Sequence, residues 1–177
     1  MKRVCCCILL LLVVHLSLLG EPLMVFAFDP TQGFTNVTLT SSSFIYQKPY
    51  NPDYTSGIWQ FEGYAFVPHG TSGATIVQIH GAAQGNTMLL LRIYNGNMRY
   101  YDSKVIATDL YDKWFKVNLI HNVDEGRLMV YINDVKKFES HDQGPGDLYF
   151  KCGVYGAPSD KSRYMESRWR DIKIYKK

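Results

Sequence analysis

The sequence predicts an all-β domain built as a two-sheet jelly roll. Three observations carry that expectation. Apolar and polar side chains alternate with period two over a succession of short segments, as half-buried strands require. Turn-forming Gly, Pro, Asn and Asp residues punctuate those segments at the short spacing of sandwiches and barrels. No long window carries the 3.6-residue period of an amphipathic helix.

The first 27 residues stand apart from this pattern. Lys2 and Arg3 precede an apolar run over residues 4–19, and Val25-Phe26-Ala27 offers the compact residues a signal peptidase reads, so cleavage is expected after Ala27 and a single domain over 28–177 remains. An uncleaved signal anchor is the rival reading. Against it, His15 interrupts the run, Gly20-Glu21-Pro22 follows it, and a membrane span needs about 20 apolar residues. Cys5, Cys6 and Cys7 would leave with the leader, and Cys152 would be the one cysteine of the mature chain. No internal disulfide could then form, and a chain of this length buries a core without one. A monomer without lasting membrane attachment is the expected product.

Within the domain, Asn36-Val37-Thr38 is an N-glycosylation acceptor in that compartment. Residues 58–67 alternate, with Ile58, Gln60, Glu62, Tyr64 and Phe66 on one face and Trp59, Phe61, Gly63, Ala65 and Val67 on the other. Further strands are predicted over 74–80, 88–94, 98–106, 114–121, 127–132, 135–138, 149–155 and 168–175. Asn95-Gly96 is a strong hairpin turn between two of them.

In the segment 74–80, strict alternation sends Gln78 and His80 to one face and Thr75, Val77 and Ile79 to the other. A carboxamide and an imidazole thus stand side by side on a wall facing solvent or ligand. In 149–155 it groups Tyr149, Lys151, Gly153 and Tyr155, with Phe150, Cys152 and Val154 buried behind them. Gly153 leaves a gap in that row where a ligand or a neighbouring side chain can approach, and a buried Cys152 is an inert core residue. Arg92 lies opposite the apolar Leu89 and Leu91 on its own segment.

Several function classes find no support. Nineteen Lys and Arg face 16 Asp and Glu, a net charge of +3, and the basic residues are scattered without the stripe that nucleic acid demands. His69, His121 and His141 are isolated and no Cys/His/carboxylate cluster has metal-ligand spacing, so neither a metal nor another cofactor is expected. No nucleophile-elbow pattern occurs. Thirteen Tyr and three Trp suit a sugar-binding surface and equally suit a strand-rich chain.

Gln78-Ile79-His80 together with Tyr149-Phe150-Lys151-Cys152-Gly153-Val154-Tyr155 resembles the paired Gln-Ile-His and Tyr-Phe-Lys-x-Gly-x-Tyr motifs of the alginate lyase 2 domain, polysaccharide lyase family seven. The opening Phe28-Asp29-Pro30-Thr31-Gln32-Gly33-Phe34 and the stretch from Tyr54-Thr55-Ser56-Gly57 to Gly63-Tyr64 are similar to the plant citrate-binding proteins of that superfamily. The resemblance covers nearly the whole mature chain. It implies a concanavalin A-like sandwich whose concave sheet holds an acidic ligand, either citrate or a uronate-containing oligosaccharide. It also implies a secretory destination, the apoplast or a vacuole.

For a lyase of this family, metal-free β-elimination needs a group that neutralises the C5 carboxylate, a base for the C5 proton and an acid for the leaving oxygen. The resemblance assigns Gln78 to neutralisation, His80 to neutralisation or proton abstraction and Tyr155 to acid or acid/base duty, with Lys151 beside it. The third motif of the family, Arg-Ser/Thr-Glu-hydrophobic-Arg, has no match here. It belongs before Asp53-Tyr54-Thr55-Ser56-Gly57, where Tyr46-Gln47-Lys48-Pro49-Tyr50-Asn51-Pro52 stands instead. Losing that carboxylate clamp forfeits about 1.5–3 kcal/mol of charge-assisted contact. The expected function is therefore carboxylate binding by Gln78, His80, Arg92, Tyr149, Lys151 and Tyr155, with an active lyase and a lectin-like module as alternatives. The sandwich is also expected to lack one strand, leaving a gap or a poorly packed segment over 44–54.

Overall fold

The computed structural model describes residues 29–37, 54–81, 87–156, 162 and 164–177. The leader and its expected cleavage site lie outside these residues. Eleven strands follow one another: β1 (Thr35–Val37), β2 (Ile58–Phe66), β3 (Ala74–His80), β4 (Thr87–Tyr94), β5 (Asn97–Tyr100), β6 (Lys104–Ala107), β7 (Trp114–Asn122), β8 (Arg127–Ile132), β9 (Val135–His141), β10 (Tyr149–Tyr155) and β11 (Arg168–Lys176). Antiparallel pairing arranges them as a six-stranded sheet, β1-β11-β2-β7-β8-β9, and a five-stranded sheet, β10-β3-β4-β5-β6. This is the all-β, two-sheet jelly-roll sandwich that the alternation predicts.

The two sheets pack through their apolar faces. Phe61 and Ala65 of β2 and Leu119 of β7 meet Ile79 of β3 and Leu89 and Leu91 of β4 in one buried cluster. Turn chemistry sets the hairpins. Asn95 and Gly96 both adopt positive φ, 49° and 77°, as a two-residue β-hairpin matching the strand twist requires. Asn133 and Asp134 repeat this between β8 and β9 at 50° and 63°.

Three details differ from the alternation reading. The expected strand over 98–106 is two strands, because a turn at residues 101–103 with Tyr101 at φ 49° breaks it. Thr75 does not share a face with Val77 and Ile79. The β3–β4 register shifts between Thr75 and Val77, so Thr75 pairs with Arg92 while Val77 pairs with Leu91, and a bulge of this kind inverts parity along the strand. Cys152 and Val154 are exposed instead of buried. They sit on β10, the terminal strand of its sheet, beside an irregularity between Cys152 and Tyr155. Cys152 reaches solvent, yet burial of its thiol by the surrounding protein pushes its pKa up to about 11, so it remains a poor nucleophile.

The segment over 44–54, expected to leave a gap or pack poorly, lies outside the described residues except for Tyr54. Tyr54 itself is well packed, at odds with that expectation at this one residue: it is 4% exposed, bridges Leu148, and stacks on Trp59 and Phe150 at ring distances of 5.1 and 5.3 Å. Among the described residues no strand pairs with the outer edge of β10.

Candidate functional site

Cross-strand register on the outer face of the five-stranded sheet assembles the polar residues into rows, since directly opposed residues share a face. Tyr149, His80 and Thr87 form one row from β10 across β3 to β4. Lys151, Gln78 and Leu90 form the next, and Tyr155, Thr75, Arg92 and Arg99 form a third that continues onto β5. The residues singled out from the sequence, Gln78, His80, Arg92, Tyr149, Lys151 and Tyr155, thus lie on one surface. Asn36 lies elsewhere, exposed on the edge strand β1 opposite Tyr175.

Lys151 is exposed, and its ammonium lies over two phenol rings, 5.1 Å from the centroid of Tyr149 and 5.9 Å from that of Tyr155. Tyr155 is itself 61% exposed. The His80 ring packs against Tyr149 at 5.3 Å and is half-buried. Gln78 departs from the expected open wall. It is 3% exposed, covered on the same sheet whose outer face it occupies, and its Nε2 donates to the Thr87 hydroxyl at 2.8 Å. Its buried Oε1 meets no donor among the described residues.

Arg92 is already engaged. Its Nε donates to the Thr75 hydroxyl at 3.1 Å and its Nη1 to Asp102 Oδ1 at 2.5 Å, while the Tyr94 hydroxyl donates to the same oxygen at 2.8 Å. The bonds from Tyr94 and Arg92 hold the Asp102 carboxyl below the usual carboxylate range. Burial alone would lower the Arg92 pKa, but the Asp102 contact outweighs it and the group stays a firm cation. Asp102 and Arg99 escaped the sequence reading because both lie in what looks like one continuous strand. The signal that locates them is the turn at residues 101–103, invisible to alternation.

His121 is not isolated either. It is fully buried, with Nδ1 3.1 Å from the Tyr54 hydroxyl and Nε2 3.2 Å from Asp142 Oδ2. A neutral imidazole that accepts at Nδ1 from Tyr54 and donates at Nε2 to Asp142 satisfies both contacts. Burial lowers its pKa, opposed by the bond to Asp142. Because Tyr54 stacks on Phe150, this chain of contacts braces the underside of β10, the strand that presents Lys151. Among the described residues no group of three or more His, Cys, Asp or Glu side chains is placed to hold a metal ion.

Comparison with known proteins places these rows in context. The family model described as alginate lyase (Alginate_lyase2) matches residues 36–176. A citrate-binding protein of Hevea brasiliensis is 42% identical over 219 residues, covering 99% of this chain and 92% of that protein. That alignment is longer than the 177 residues of this chain, so some aligned positions of the relative have no counterpart here. Among solved structures, an alginate lyase from Corynebacterium sp. matches with a TM-score of 0.51 at 18% identity, over 68% of this chain and 56% of its own. One from Pseudomonas aeruginosa matches with a TM-score of 0.51 at 19% identity, over 73% and 69%. At such identities the structures show a common fold, and this chain spans little more than half of the Corynebacterium enzyme. The family match over most of the chain and the close Hevea relative are decisive on kinship: the chain belongs to the alginate lyase 2 family.

Proposed function

We propose that the outer face of the five-stranded sheet binds a carboxylate-bearing ligand, citrate or a uronate oligosaccharide, without efficient cleavage. The observation that carries this reading is the exposed Lys151 ammonium set between the Tyr149 and Tyr155 rings, in register with Gln78 and flanked by His80. An ammonium offers three donors to a carboxylate, and the two phenols add hydroxyl donors on either side. The Hevea relative, named for citrate binding, supports the same reading. The leader-like first 27 residues support a secretory route for the mature chain over 28–177.

Titration calorimetry at low salt tests it. Citrate is expected to bind and a neutral oligosaccharide not to, and Lys151→Ala is expected to weaken citrate by roughly tenfold or more, the value of a lost charge-assisted bond. Equal binding of the neutral sugar would instead mark a lectin-like surface.

Cleavage is the second reading, favoured by His80 and Tyr155 standing on one face. Against it, the Arg motif is missing from the sequence and Arg92 is held by Asp102. Incubation with alginate, followed by absorbance of the unsaturated product, decides the matter. Robust turnover abolished by Tyr155→Phe would overturn the binding-only reading.

A further inference from the structure

We propose that Arg92 and Arg99 form a second carboxylate seat on this face, filled by Asp102 in the unliganded protein and vacated by it when an acidic ligand arrives. The inference rests on the carboxylate-binding reading above and adds a site, a residue and an exchange to it.

Arg92 and Arg99 are directly opposed across the β4–β5 ladder. Two guanidinium groups so placed repel unless an anion lies with them. Asp102 supplies one, but unevenly. Its carboxylate accepts from Arg92 and Tyr94, whereas Arg99 Nη1 reaches only the Asp102 backbone carbonyl at 3.2 Å. Arg99 Nε is buried and meets no acceptor among the described residues. One carboxylate therefore serves two cations, and a buried donor is left unsatisfied, which costs free energy until an acceptor reaches it.

Asp102 is built to leave. Its side chain is 67% exposed against 18% for Arg92, so the carboxylate can turn into water while the guanidinium stays in place. The turn that carries it is fixed. Tyr101, a bulky residue at φ 49°, donates its hydroxyl to the Thr87 carbonyl at 2.7 Å and its backbone N–H to Leu90 O at 2.9 Å. A strained bulky residue over-determined by its surroundings is the kind of feature that accompanies function. Exchange then involves one side-chain rotation and no loop movement. Thr75, bonded to Arg92 Nε, keeps the guanidinium aimed while its counterion changes.

Citrate titrations of the purified protein and four variants test the exchange. Asp102→Asn removes the competing charge and is expected to bind citrate about tenfold more tightly, the reverse of what loss of a ligand contact does. Arg99→Gln is expected to bind about tenfold more weakly, with Arg99→Lys between the two. Unchanged or weaker binding by Asp102→Asn, or unchanged binding by Arg99→Gln, overturns the seat. If Lys151→Ala still weakens citrate in that case, the carboxylate-binding reading stands without it. Failure of citrate to bind wild type and Asp102→Asn alike overturns both. Should Asp102→Asn not fold, the arginine Nε–H resonances of the wild type give the answer: citrate shifts those of Arg92 and Arg99 if the seat exists, and leaves both unmoved if it does not.

Discussion

The Gln78 carboxamide donates to the Thr87 hydroxyl at 2.8 Å across the β3–β4 ladder, and that bond decides which way a buried amide points. As it stands, Nε2 is used and Oε1 is not. A hydroxyl both donates and accepts, so Thr87 can equally donate to Oε1 and free the NH2 group to face a carboxylate. Thr87 is thus the hinge of the amide's hydrogen-bond choice.

Thr87→Val keeps the shape and removes that partner, stranding a buried amide. The expected loss is about 1–3 kcal/mol of unfolding free energy in urea titration. Pairing it with Gln78→Leu removes both ends of the bond, and the double variant is expected to recover most of the loss, because an apolar pair leaves nothing unsatisfied. Additive losses in the double variant would refute the coupling.

Stability should depend on pH through His121. Burial depresses its folded-state pKa below the ordinary 6.5, so the unfolded chain takes up a proton first as pH falls. The stability held by the neutral imidazole is fully present above pH 6.5, declines as pH drops below it, and levels off under the folded-state value. Melting temperature recorded from pH 8 downward is expected to fall through this window. In His121→Gln, whose amide can bridge Tyr54 and Asp142 without titrating, this part of the fall is expected to vanish.

Gly81 closes the Gln-Ile-His strand against the approach to β10. Its φ is +105°, and a Cβ there would lie 1.7 Å from the Asp147 carbonyl oxygen, a backbone atom unable to move aside cheaply. Gly81→Ala is expected to lose at least about 2 kcal/mol in urea unfolding. Gly70→Ala, at φ +96° with nothing within 4 Å, carries the backbone strain alone and is expected to lose less. Equal losses would show that the contact with Asp147 is immaterial.

Much of this architecture is legible from alternation, because the period-two segments of the sequence over 74–80, 127–132 and 149–155 each form a strand, Ala74–His80, Arg127–Ile132 and Tyr149–Tyr155. The expected grouping of Gln78 with His80 and of Tyr149 with Lys151 on one face also holds, while the register that joins the two strands, His80 with Tyr149 and Gln78 with Lys151, is seen only in the fold. What alternation cannot carry is a one-residue irregularity. The bulge beside Ile76 moves Thr75 to the side of Arg92, and the turn at Tyr101 hides Asp102 inside an apparently continuous strand. Arg99 was lost with it. The exposure of Cys152 and Val154 depends on β10 being last in its sheet, a fact of strand order that no local pattern records.

Ionic strength separates the contributions of the two cation groups. Lys151 is exposed, and an exposed ammonium acts through water, where the screening length shrinks from about 30 Å at 10 mM salt to about 8 Å at 150 mM. Arg92 is largely covered, with 18% of its side chain exposed, whereas its partner Asp102 is 67% exposed. Citrate affinity is therefore expected to fall as sodium chloride rises from 10 to 150 mM, with the Lys151→Ala variant showing a shallower slope than wild type. Asp102→Asn, which removes an exposed competing anion, is expected to raise affinity most at low salt. A slope unaltered by Lys151→Ala would mean that the exposed ammonium is not what meets the ligand.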